Sequence, residues 1–232
     1  MIVTIDGPAG AGKSTVARAL ARRLGFRYLD TGAMYRAVAL AGLRRNVNWQ
    51  RPEEVVRLAR QLKIEVRDER LLLDGEDVTD LVRSSEVTTV TRFAADNPEV
   101  RAHLVELQRQ VADQQNVITE GRDQGTVVFP NAECKVFLTA SPEVRAERRV
   151  ADFHVRGETR GFDDVLGEIN RRDNRDASRT VGPLVQAPGA IEVLTDGLAI
   201  EQVVDRLETI VRQCQAGQRP RGHHCKQGPV QK

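Results

Sequence analysis

The chain opens on the apolar run Ile2-Val3-Thr4-Ile5, which stops at Asp6 and reads as a short buried strand over 2–6. From residue 13 the period changes. Val16, Ala17, Leu20 and Leu24 recur at three- and four-residue steps, so 13–24 is expected to be a helix with one apolar face, stopped by Gly25. Phe26-Arg27-Tyr28-Leu29-Asp30 predicts a second strand, followed by helical periodicity over about 32–45 and a helix beginning near Pro52, whose fixed φ suits a first turn. Strands that alternate with helices predict an α/β fold, because parallel strands need a crossover between them.

The alternation breaks at 63–78, where Ile64-Glu65-Val66, Leu71-Leu72-Leu73 and the Asp74-Gly75 turn signal predict a small antiparallel insertion. A helical pattern returns over about 81–95, and Asn97 followed by Pro98 starts another that continues to 115. Strands are expected at 117–119 and 135–138, and Ser141-Pro142 begins a helix. The arginine-dense stretch 145–179 reads as two helices around a turn at 157–161, with a last strand at 191–194 and an amphipathic helix at 200–214. Residues 1–214 are thus expected to form a single domain, while 215–232, without periodicity, is expected to be a disordered tail.

Composition fits this picture: 232 residues, 40% hydrophobic and 29% charged, suit one elaborated globular domain. No apolar run is long enough for a membrane span, and Met1 to Asp6 has neither a basic start nor a long apolar stretch, which predicts a cytoplasmic protein. Its three cysteines, Cys134, Cys214 and Cys225, are too few and too scattered for a disulfide scaffold. A net charge of +2 argues against nucleic-acid binding by bulk electrostatics, so anions must be held by local arginines. A monomer with neither membrane nor nucleic-acid partner is the expectation.

Gly7-Pro8-Ala9-Gly10-Ala11-Gly12-Lys13-Ser14 fits G-x-x-x-x-G-K-S/T between a predicted strand and a predicted helix. In such a loop, 7–15 including Thr15, backbone amides cradle ATP phosphates, Lys13 reaches the β- and γ-phosphates and the Ser14 hydroxyl ligates Mg²⁺. GTPases commonly add an N-K-x-D motif, which this sequence lacks. Asp6 and Glu120 end predicted strands, where they either hold Mg²⁺ through water or cap loops. Arg145, Arg148 and Arg149 share a predicted helix as lid arginines or as an exposed basic face. His223, His224, Cys225 and Cys214 lack metal-ligand spacing, and Trp49 and Tyr28 are expected to pack rather than bind a base.

Around the loop, Thr4-Ile5-Asp6, Asp30-Thr31-Gly32-Ala33-Met34-Tyr35-Arg36, Glu120-Gly121-Arg122-Asp123-Gln124-Gly125-Thr126-Val127-Val128-Phe129-Pro130 and Arg172-Asp173-Asn174-Arg175-Asp176-Ala177-Ser178-Arg179 together resemble bacterial-type cytidylate kinases. The similarity runs from residue 2 to about 212. It implies a P-loop kinase core, a monophosphate-binding insertion at about 63–97 and a mobile helical lid at about 150–161. The implied reaction moves the γ-phosphoryl of ATP to CMP or dCMP with Mg²⁺. Thr31, Tyr35, Arg36, Arg101, Arg122 and Asp123 would line the acceptor pocket, Asp176 and Arg179 would touch cytosine or sugar, and Arg172 would sit near the transferring group. Lys13, Arg122 and Arg172 are the implied catalytic cations. One position departs from the family: Arg92 stands where a base-contacting Ser is usual, with Thr91 beside it. A kinase for UMP, AMP or shikimate, and a nucleotide-dependent switch without an acceptor, are the competing readings.

Overall fold

The computed structural model describes residues 1–67, 69–155 and 157–218. The first half runs β1 (Ile2–Asp6), α1 (Lys13–Leu24), β2 (Arg27–Asp30), α2 (Thr31–Arg44), α3 (Pro52–Gln61), β3 (Ile64–Arg67), β4 (Arg70–Leu73), β5 (Glu76–Asp77), α4 (Ser85–Ala95) and α5 (Pro98–Ala112). It continues with β6 (Val117–Gly121), β7 (Cys134–Thr139), α6 (Pro142–Val155), α7 (Phe162–Ala177), β8 (Ile191–Leu194) and α8 (Ile200–Gln215). Five strands form one parallel sheet in the order β2-β6-β1-β7-β8, and β3-β4-β5 form a separate antiparallel sheet. This is the α/β architecture expected from the alternation of periods.

Helices cover both faces of the parallel sheet, which is why β1 and β6 are buried almost throughout, Thr4 and Thr119 included. On one face Val16 and Leu20 of α1 and Val203 and Leu207 of α8 pack on Val3, Ile5, Ile118 and Val136. On the other, Leu29 and Val117 meet Met34 and Val38 of α2 and Leu104 of α5. Leu20, Leu104 and Leu207 are fully buried, and each such side chain contributes about 2 kcal/mol through lost apolar exposure. Ala146, Phe153, Val165 and Ile169 make a third, smaller cluster that belongs to the α6–α7 hairpin alone.

The predicted elements change in four places, one of them for an identifiable reason. The helix expected over 81–95 is broken into a 3₁₀ turn (Leu81–Arg83) and α4, because the Ser84 hydroxyl accepts from Val87 N at 3.3 Å and restarts the helix. Asn97 does cap α5, accepting from Glu99 N and Val100 N, but α5 ends at Ala112 rather than 115. Gln124–Val128 winds as a π-helical turn that the sequence reading lacks. At the C-terminus α8 includes Gln215, the first residue of the expected tail; 219–232, with His223, His224 and Cys225, lies outside the described residues.

Candidate functional site

The phosphate loop leaves β1 at Asp6 and enters α1 at Lys13. Gly7 is required by close approach: a Cβ there would lie 1.9 Å from the Leu138 carbonyl oxygen. Gly12 occupies the N-cap of α1 with φ 87°, and among the described residues no side chain caps that helix, so its first N–H groups remain available to an anion. Lys13 Nζ donates to the Pro8 carbonyl at 2.8 Å, and Ser14 Oγ donates to Glu120 Oε1 at 2.6 Å. Thr15 is exposed one residue further into the helix.

The two strand-end carboxylates left open by the sequence part company. Asp6 caps a loop: its oxygens accept from Gln124 N at 2.9 Å and Gly125 N at 2.7 Å, fixing the π-helical turn. Glu120 instead meets Ser14 at the mouth of the phosphate loop, a pair of hard oxygen groups with the chemistry Mg²⁺ requires. Burial pushes Asp6 up to about 6 and raises Glu120 as well, the latter helped by Asp30. Among the described residues no cluster of three His, Cys, Asp or Glu side chains could hold a metal on its own.

Opposite the loop, Asp176 gathers arginines. Arg122 Nε donates to its Oδ2 at 3.0 Å, Arg179 Nη2 donates to its Oδ1 at 2.7 Å, and Arg172 Nε lies 3.9 Å away. Burial alone would raise the Asp176 pKa, but Arg122, Arg179 and Arg172 outweigh it and hold the carboxyl below its ordinary value. Arg179 also donates to Asp96 at 2.7 Å. A second pair, Arg101 with Asp123, is buried and directly bonded, and the Arg101 guanidinium lies 5.4 Å from the centre of the Tyr35 ring. Burial pushes the Tyr35 hydroxyl up to about 12, so it stays neutral.

Gly182, which no sequence signal singled out, closes over that pair. Its φ is +64°, and a Cβ would come within 2.3 Å of both Arg101 Nη2 and Asp123 Oδ2. Arg36 donates to Thr88 Oγ1 at 2.6 Å, which ties α2 to α4. The Thr31 hydroxyl donates to the Glu120 carbonyl at 2.7 Å.

The cations depress one another. Burial first, and then Arg122 and Arg172, push Lys13 down to about 7, against the pull of Glu120 and Asp6. Burial and Arg122, with Arg36 and Arg149, push Arg172 down to about 9. Burial with Arg83, Arg149 and Arg122 lowers Arg36 despite Asp30. Concentrated positive charge of this kind is the complement of a polyanion.

Of the three arginines on α6, Arg145 is not part of an exposed face: it is buried, bonded to the carbonyls of Ala140 and Ala9 and paired with Asp173. Arg148 donates to Thr195, and Arg149 lies over Phe153. Arg92 is exposed with its guanidinium 4.8 Å from the Phe93 ring centre, while the Thr91 hydroxyl bonds its own helix at Val87. Trp49 stacks on Phe93 and Tyr28 is buried, so both pack as expected. An open cleft of about 730 Å³ bordered by α2, Leu81, Ser84 and Glu158 contains none of the predicted site residues.

Arg122, just after β6, and Arg172 on α7 act electrostatically on Lys13 of the loop, and the family model for cytidylate kinase matches residues 3–213. The chain belongs to the cytidylate kinase family. The cytidylate kinase of Desulfitobacterium hafniense is 49% identical over 208 residues, covering 88% of this chain and 90% of that protein. That of Rhodopirellula baltica is 44% identical over 214 residues, covering 92% and 93%. A solved structure of an uncharacterized protein from Eubacterium ventriosum aligns over 91% of this chain and 98% of its own with a TM-score of 0.50 at 10% identity, a likeness of fold alone. Cytidylate kinase membership makes the chain a kinase, and no helix among its described residues is long and apolar enough to cross a membrane.

Proposed function

We propose that this kinase moves the γ-phosphoryl of ATP to CMP or dCMP by clamping two polyanions inside one cation cluster. The carrying observation is geometric: Lys13 is buried in the G-x-x-x-x-G-K-S loop at the N-terminus of α1, and Arg122, Arg172 and Arg179 converge on the single carboxylate of Asp176. The loop from Gly7 to Thr15 takes the ATP phosphates on its amides, with Lys13 at the β- and γ-positions. Mg²⁺, when bound, neutralises phosphate charge; Ser14 would hold it, and Glu120 lies 2.6 Å from the Ser14 hydroxyl.

Arg36 and Arg122 hold the acceptor phosphate and Arg172 meets the transferring group, each guanidinium offering a planar fork that lysine lacks. Cytosine presents an amine donor and ring acceptors, so it suits a carboxylate paired with arginine. Arg101 with Asp123, and Arg179 with Asp176, are two such pairs, with Tyr35 and Thr31 completing the pocket. We extend the proposal to a monomer whose residues 1–214 form one domain, with its monophosphate-binding part at about 63–97 and its lid at about 150–161. Free thiols at Cys134 and Cys214 support a reducing compartment, the cytoplasm.

The test is ADP release from Mg-ATP with CMP, dCMP, UMP, AMP or shikimate, against a control without acceptor. Strong stimulation by CMP and dCMP supports the assignment. Stimulation by another acceptor alone reassigns the pocket, and ATP binding without any stimulation rejects acceptor phosphorylation.

A further inference from the structure

Arg145 has no part in the roles assigned above, yet its side chain is only 4% exposed and its guanidinium joins three separate pieces of the fold. Nε donates to the Ala140 carbonyl at 3.0 Å, where β7 gives way to α6. Nη1 donates to the Ala9 carbonyl at 3.1 Å, at the bend of the phosphate loop, and lies 2.6 Å from Asp173 Oδ2 on α7. The loop also packs on the stem of this residue, since a Cβ on Gly10 would sit 3.2 Å from Arg145 Cβ. Asp173 is the chain neighbour of Arg172, and its Oδ1 is buried without a partner among the described residues.

A buried ion pair contributes little net stability, because desolvating both charges offsets their attraction, and an unpartnered buried oxygen adds to the cost. What such a pair does supply is fixed geometry. Only the flat fork of a guanidinium can serve two carbonyls and a carboxylate at once; an ammonium on a flexible stem cannot span them.

We propose that Arg145 is a positioning residue: with Asp173 it sets the distance between the phosphate loop and α7, and so delivers Arg172 to the phosphoryl group that the loop presents. This rests on the placement of ATP in the loop and of Arg172 at the transferring group. The strut acts through Arg172, so its loss lowers kcat rather than acceptor affinity.

The experiment is a double-mutant cycle on the full chain with Arg145→Met, Arg172→Ala and the pair, with Asp173→Asn as a variant that keeps the side-chain shape. Arg145→Lys tests the fork. Arg145→Met and Asp173→Asn should each lower kcat on the order of a hundredfold, the loss typical of roughly an ångström of misplacement, with KM for CMP held within about twofold. Arg145→Lys should not restore kcat, and the double variant should be no slower than Arg172→Ala, because both substitutions remove one function. Losses that multiply, or a normal kcat in folded Arg145→Met or in Asp173→Asn beside a crippled Arg172→Ala, overturn the strut and leave the site assignment standing. A normal kcat in Arg172→Ala overturns both.

Discussion

Binding of Mg-ATP should take up a proton through Lys13. In the free protein burial and the neighbouring arginines push this ammonium down to about 7, and its only hydrogen-bond acceptor among the described residues is the Pro8 carbonyl. At pH 8 a group of that pKa is about 10% protonated. A triphosphate laid in the loop brings several negative charges within a few ångströms and returns the lysine toward its ordinary value near 10.4, where it is fully protonated. The difference is about 0.9 proton taken up per ATP at pH 8, falling to about 0.5 at pH 7 and to nearly none at pH 5.5. Mg-ATP itself has no group titrating near pH 8, so the signal belongs to the protein. Calorimetric titration of Mg-ATP without acceptor, in buffers of different ionisation enthalpy, reads the number as the slope of observed heat against buffer heat. A slope of about one proton at pH 8 that collapses in Lys13→Met supports the placement of Lys13 beside the phosphates. A slope of zero in the unaltered protein, or one unchanged in Lys13→Met, refutes it.

Lys13→Ala should lower turnover by about a thousandfold or more while the far-ultraviolet circular dichroism stays unchanged; normal turnover would remove Lys13 from the mechanism. Gly182→Ala forces a Cβ onto Arg101 and Asp123 at a φ of +64°, so it should raise KM for CMP and cost about 1–3 kcal/mol in urea denaturation. Wild-type values for both would show that the loop does not close over that pair. Asp176→Ala releases Arg122, Arg172 and Arg179 together and should relax the preference for CMP over UMP more than it changes KM for ATP; unchanged CMP kinetics would contradict the base-side role. Asp6 has a folded pKa of about 6 against an ordinary 3.8, so the folded state holds the extra proton between those values. The contribution of Asp6 to stability should therefore fall as pH rises from about 4 to about 6, so the difference in denaturation midpoint between the unaltered protein and Asp6→Asn should change over that range and level off above it; a constant difference would contradict the shift.

Much of the fold was legible because local rules and tertiary packing agree. β1 carries Ile2, Val3 and Ile5 without regular alternation since helices cover both of its faces, and α1 and α8 carry one apolar stripe each. The break at Ser84 was not legible, because helical periodicity continues across the 3₁₀ turn and only the Ser84 cap reveals it. The π-helical turn at Gln124–Val128 depends on Asp6, 118 residues away in the chain, which no local pattern records. The same division holds in the site. The phosphate loop announces itself because its mechanism needs contiguous residues. The arginines were found through a resemblance, since their spacing in sequence says nothing of their meeting at Asp176. The burial of Arg145 was not legible either, because its partner Ala9 lies 136 residues earlier. Gly182 was overlooked because a lone glycine before a proline signals a turn and not the pair it covers.

Direct transfer between the two bound nucleotides is tested most simply by following the label from ATP carrying ³²P in its γ-phosphate. With Mg²⁺, CMP and catalytic amounts of the protein, the label should leave ATP and appear in CDP at the rate of ADP formation, with little in inorganic phosphate. Label that accumulates as inorganic phosphate while CMP stays unmodified would contradict transfer in this site and leave an ATPase.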